Sequence, residues 1–139
     1  MRMYRKILVP VDLAHLEKLE KALRTAADLA KHYGASVTYV GATVGEPSEV
    51  AHSPEEFAQK LEEFAAAQAK KHGIDGKAKT VRSHDPARDL NNVLLKEIDA
   101  EGADLVVMAS HVPGLPEHIF TSHAGGVASH AEVSVFVVR

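Results

Sequence analysis

Cysteine and tryptophan are both absent from the chain. Without cysteine no disulfide can staple the fold, and no thiolate is on hand as nucleophile or metal ligand. The absence fits a reducing, cytoplasmic setting. Aromatic residues fill only 5% of the 139 positions, so a core has to be assembled from Ala, Val, Leu and Ile. Long hydrophobic runs are missing too. No stretch approaches the ~20 apolar residues of a membrane span. The apolar segment behind the basic start, Ile7 to Val11, is cut by Asp12 after five residues, too early for a signal peptide. Nor does one sign of charge dominate: a net charge of −3 points to neither a nucleic-acid nor a membrane surface. No P-loop lysine signature and no nucleophile elbow occurs. A chain of this length fits one domain, 1–139, which buries roughly 70% of the surface its unfolded form exposes.

What is present alternates. Lys6 to Asp12 is a short apolar run with a polar end, the pattern of a strand buried on both faces, with Pro10 near its end. Leu16, Leu19, Leu23, Ala26, Ala27 and Ala30 recur at helical spacing, and Gly34 stops that helix. Ala35 to Thr43 is rich in β-branched residues and reads as a second strand. Ser53-Pro54-Glu55-Glu56 opens a second helix with a cap, a first-turn proline and a closing glutamate. Lys77 to Arg82 reads as a strand whose lysines suit an edge. Asp85-Pro86 starts a third helix, and Asp104 to Ser110 is a second fully apolar strand. A loop, a fourth helix over about Ser122 to His130, and a strand from Val133 to Val138 complete the order. Such alternation specifies an α/β fold: a parallel sheet, helices on both faces, right-handed crossovers.

In an open parallel sheet, ligands bind beyond the carboxyl ends of the strands, where the strand order reverses. The two most apolar strands are the expected central neighbours. Their tips carry Pro10, Val11 and Asp12 on one side, and Met108, Ala109 and His111 on the other. A helix starts shortly afterwards near Thr121-Ser122, where free N–H groups favour an anion.

At these residues the chain resembles the universal stress protein family. Lys6-Ile7-Leu8-Val9-Pro10-Val11-Asp12 looks like its first strand. Ala103 to His111 looks like its fourth strand and following loop, and Val127 to Val138 like its last helix and strand. The resemblance implies an open, doubly wound, five-stranded parallel sheet in the order 3-2-1-4-5, of the adenine-nucleotide alpha-hydrolase-like type. It implies ATP or AMP as the ligand class, with the aspartate at Asp12 touching ribose and second-strand residues near Ala42 lining adenine. Val112, Ser122, His123 and Ala124 fall in the matching loop and helix start. It also implies a homodimer formed through the last strand, Val133 to Val138.

Nucleotide-binding members of that family carry Gly-x-x-Gly, nine further residues, then Gly-Ser or Gly-Thr. Here the matching positions hold Ala109, Val112 and Thr121-Ser122, and eight residues separate Val112 from Thr121. The His111-Val112-Pro113 run looks like a family branch with a proline in this loop. Glycine lets a backbone take positive φ and approach a phosphate closely. If the loop needs that conformation, a β-branched residue there costs roughly 1–3 kcal/mol of strain. The expectation is therefore nucleotide binding that is weakened, lost or replaced by another small ligand.

Two readings stand for most of these residues. Asp12 is either a ligand contact or an acceptor of local backbone N–H groups. Ser122 is either a phosphate contact or a helix cap. Nine histidines are many for this length. His111, His118, His123 and His130 follow the fourth strand, and His15 follows Asp12 toward the same crevice. They are read as anion contacts or separate surface residues; the spacing is not that of a helical zinc pair, and no metal is expected. Arg82 reads as solvated. The leading functional reading is a small-ligand- or nucleotide-responsive regulatory subunit in stress adaptation. The alternatives are a weak ATP-hydrolysing or phosphotransfer enzyme, and a ligand-free interaction subunit.

Overall fold

A computed structural model describes residues 3–83, 86–109 and 133–139 of the chain. Five strands, β1 (Lys6–Val11), β2 (Ser36–Thr43), β3 (Asp75–Arg82), β4 (Leu105–Ala109) and β5 (Ser134–Val138), pair in parallel throughout. Their order is β3-β2-β1-β4-β5. The apolar composition of β1 and β4 follows from this position. Both are central, and every residue of β4 is buried. β3 lies at an edge, as its lysines predict, and exposes Lys77 and Lys79. It starts two residues earlier than the sequence pattern suggests. Asp75 and Gly76 are poor strand formers, yet they are held by pairing with Ser36 and Val37.

Helices α1 (Glu20–Tyr33), α2 (Pro54–His72) and α3 (Pro86–Glu101) join the strands. Ser53 Oγ accepts the Glu56 N–H at 3.1 Å, and Glu56 Oε2 accepts the His52 N–H at 3.1 Å. That pair of bonds satisfies two donors at the start of α2. Gly34 and Gly73, each at φ +66°, close α1 and α2. The buried side of α1 is Ala22, Leu23, Ala26, Ala27 and Ala30, and its four alanines let the helix lie close to the sheet. The sequence places the start of this helix near Leu16. The structure corrects that: Leu13–Leu19 is a 3-10 segment broken at His15 (φ −136°, ψ 43°), and α1 begins only at Glu20. A fourth helix over 122–130 lies outside the described residues.

The faces can be assigned from side-chain contacts. The Tyr39 ring meets the Phe64 ring of α2 edge-on, with 5.3 Å between centroids. Lys77 pairs with Glu101 of α3 at 2.9 Å. Because Tyr39 stands level with Ala78, Tyr39 and Lys77 point to opposite faces. α2 therefore covers one face and α3 the other, as right-handed crossovers require. Tyr39, Leu61, Leu94, Met108 and Val107 are among the largest side chains fully withdrawn from solvent. Each large apolar side chain so buried contributes roughly 1.5–3 kcal/mol.

Candidate functional site

The two ends of the β1–β4 seam differ. At the amino end Asp104 closes it: its carboxylate accepts the N–H groups of Arg5 at 2.9 Å and Lys6 at 3.1 Å. At the carboxyl end the ladder stops early. The pairing of β1 with β4 runs only through Ile7–Leu105 and Leu8–Val106, although both strands continue. Pro10 supplies the reason. Backbone groups along β1 serve its two neighbours in turn. The Arg5 carbonyl accepts from Ser36, which leads into β2, and the Lys6 carbonyl accepts from Asp104, which leads into β4. Four residues beyond Lys6, Pro10 turns its nitrogen toward β4, and that nitrogen has no hydrogen to donate. The two strand tips are left unlaced at the point where the strand order reverses, the position at which an open α/β sheet takes ligands.

Around these strand tips the predicted residues fall into two sets. Pro10 is level with Val40, and Leu8 with Val106. Pro10, Ala42 and Met108 therefore share the face covered by α3, while Val11 and Ala109 share the other. Met108, Val11 and Ala109 are buried, and Pro10 and Ala42 are half-buried. His111, Val112, Ser122, His123 and Ala124 lie outside the described residues. So do Thr121, His118 and His130.

Asp12 follows β1 directly and caps the 3-10 segment. One carboxylate oxygen accepts the Ala14 N–H at 2.9 Å. The other lies 2.9 Å from His15 Nδ1. The sequence brings His15 toward the same crevice as Asp12; the structure puts the two in direct contact. This hydrogen bond lifts the imidazole above its ordinary value of 6.5 against partial desolvation, and the charges of Asp12, Glu17 and Glu49 add to the lift. The backbone-acceptor reading of Asp12 is thus realised. It does not exhaust the residue, because a carboxylate has about four acceptor positions.

Two features nearby escaped the sequence. Arg82, at the tip of β3, lies against Gly45. A Cβ at Gly45 would stand 2.6 Å from the guanidinium, and φ there is +86°. Beside it Ser83 donates its N–H to the Thr43 carbonyl at 3.0 Å, while its buried Oγ has no hydrogen-bond partner among the described residues. On the α2 side, an open groove of about 670 Å³ is lined by Leu13, Leu16, Val50 and Phe64 with Glu49, Lys60 and Glu63. It lies between α2 and the 3-10 segment that replaces the expected helix start. Lys60 Nζ donates to the Val50 carbonyl and pairs with Glu56 at 3.4 Å. Among the described residues no three histidine, aspartate or glutamate side chains come together to hold a metal ion. No helix among them is long and apolar enough to cross a membrane.

Comparison with known proteins points one way. The profile of the universal stress protein family matches residues 3–139. Universal stress protein G of Shigella flexneri is 30% identical over 148 aligned positions, covering 99% of this chain and all of the relative. The universal stress protein from Archaeoglobus fulgidus in complex with dAMP superposes with a TM-score of 0.69 at 22% identity, covering 99% of each chain. A universal stress family protein from Arabidopsis thaliana with AMP bound gives 0.64 at 17% identity, covering 96% of this chain and 90% of that one.

Proposed function

The chain belongs to the universal stress protein family, and from that premise we propose that it is a ligand-responsive regulatory subunit of stress adaptation. Its site is the crevice between the tips of β1 and β4, and its ligand is an adenine nucleotide held weakly or a small molecule of related shape. The observation that carries this reading is the unlaced seam at Pro10, with Asp12 standing at its mouth. Relatives whose structures hold dAMP and AMP support the choice of ligand class. The substitutions Ala109, Val112 and Thr121, with the shortened spacing between the last two, support weakening. They put side chains where the nucleotide-binding pattern of the family has glycine.

Calorimetry of nucleotide-stripped protein against ATP and AMP tests this. Dissociation constants in the micromolar range or weaker are expected, and a submicromolar constant for either nucleotide removes the weakening. Mass spectrometry of small molecules released from the purified protein identifies a replacement ligand directly.

The same reading includes a homodimer through Val133 to Val138. β5 is a sheet edge whose Phe136 is 44% and Val137 39% exposed. An apolar edge without lysine or proline favours pairing with a second copy across a two-fold axis.

A further inference from the structure

The carboxylate expected to meet the ligand is already engaged on both oxygens. Asp12 accepts the Ala14 N–H on one, at 2.9 Å, and faces His15 Nδ1 on the other, at 2.9 Å. Both side chains keep about a third of their surface open, 37% for Asp12 and 34% for His15. The contact is therefore part of the crevice mouth and not of the core. His15 reaches back three residues to Asp12 across a turn that departs from helical geometry at His15 itself (φ −136°, ψ 43°). The His15 N–H to Asp12 carbonyl bond of 3.1 Å then closes a tight turn. Both groups of the pair are thus held by backbone bonds of their own, which lowers the entropy lost in forming it.

We propose that His15 is a positioning residue for Asp12: it fixes the aim of the carboxylate and, by carrying or releasing a proton, sets the charge that an anionic ligand meets. The inference rests on the reading of Asp12 as a ligand contact. Among the described residues, the charged groups acting on His15 are Asp12 and Glu17 of its own segment and Glu49 of the loop after β2. From α2, Lys60 and Glu63 line the groove that also takes in Ala14, and Lys60 is paired with Glu56. The carboxylates around His15 outnumber the cations. With a neutral imidazole a phosphate group approaches uncompensated negative charge; with an imidazolium Asp12 is neutralised in place. Ligand affinity is therefore greater on the acid side of the His15 titration. The protonated ring keeps its hydrogen bond, so the carboxylate stays aimed while its remaining acceptor positions receive the hydroxyl groups of a sugar.

The test uses AMP as probe, at concentrations up to the millimolar range, with the full chain at pH 8 and pH 6. Wild-type protein is expected to bind more tightly at pH 6. His15→Ala is expected to weaken binding at both values, by roughly two- to fivefold at pH 8, the scale of an exposed ion pair or hydrogen bond. His15→Asn places an amide donor close to the Nδ1 position without a titrating group. It should recover most of the affinity lost at pH 8, and it should retain only that part of the pH response which comes from AMP itself. NMR of the ligand-free protein supplies a second readout: the His15 midpoint lies above 6.5 and falls in Asp12→Asn.

If the midpoint does not move in Asp12→Asn, the pair does not act as described and the inference is overturned. If Asp12→Ala weakens AMP binding while His15→Ala matches wild type, the positioning role alone is overturned. If Asp12→Ala leaves AMP affinity unchanged, or AMP does not bind at all, the nucleotide reading fails and takes this inference with it.

Discussion

Tyr39 carries one of the largest side chains fully withdrawn from solvent, and among the described residues its hydroxyl has no hydrogen-bond partner. The ring is held by Phe64 and stands against Gly76, where an added Cβ would come within 3.3 Å of it. Burial also pushes the phenol from its ordinary 10.0 up to about 12. A buried hydroxyl without a partner loses its hydration and gains nothing in return. Tyr39→Phe is therefore expected to raise stability by roughly 1 kcal/mol in urea unfolding at neutral pH. A loss of that size would show that the hydroxyl is satisfied. The sign of the pH dependence follows from the raised value. The folded state holds this proton more tightly than the unfolded chain, so its contribution is complete below pH 10 and fades as pH rises toward 12. The phenylalanine variant lacks that alkaline loss. At this scale the sequence identifies Asp12 and His15 as neighbours of a crevice, but not the bond between them. That bond accompanies a backbone break at His15, which no propensity of the residue foretells.

Elements are legible where local rules and tertiary demand agree. The start of α2 is one such place, since Ser53, Pro54 and Glu56 all act as their spacing suggests. Ser53→Ala is expected to cost about 1 kcal/mol and to lower the thermal midpoint by a few degrees. Ser53→Asp, which keeps an acceptor and adds favourable charge at a helix N-terminus, should stay near wild type. Equal losses in both variants would mean the cap contributes little. The first helix is the contrary case. The apolar spacing from Leu16 onward fits an α-helix, yet the capping bonds of Asp12 and the turn at His15 hold residues 13–19 in a 3-10 path. Leu19 still reaches the core. Periodicity reports which residues are buried, and a 3-10 segment can satisfy it nearly as well. At β3 the pattern is short by Asp75 and Gly76. Gly76 is tucked under α2, where a Cβ would come within 3.3 Å of the Ala65 carbonyl. Such a close approach leaves no trace in an alternation of apolar and polar residues.

For the whole molecule, the strand order follows from the chain's alternation together with the family resemblance. β1 and β4 stand out as central because their runs are apolar without alternation. β3 and β5 stand apart, the first blunted by lysines and the second bare. The proposed dimer is decided on this contrast. Sedimentation at micromolar concentration is expected to show a species of twice the 15.0 kDa chain mass, and Phe136→Lys, a charge on the bare edge, is expected to reduce it to the single chain. A wild-type protein that sediments as one chain across this range removes the dimer.

The proposed crevice belongs to the backbone. One nitrogen without a hydrogen, at Pro10, keeps the central strands from zipping shut. Side chains on the rim can then be exchanged without rebuilding the doorway. On the proposed reading, drift in what the protein recognises is easier than drift in where it recognises it.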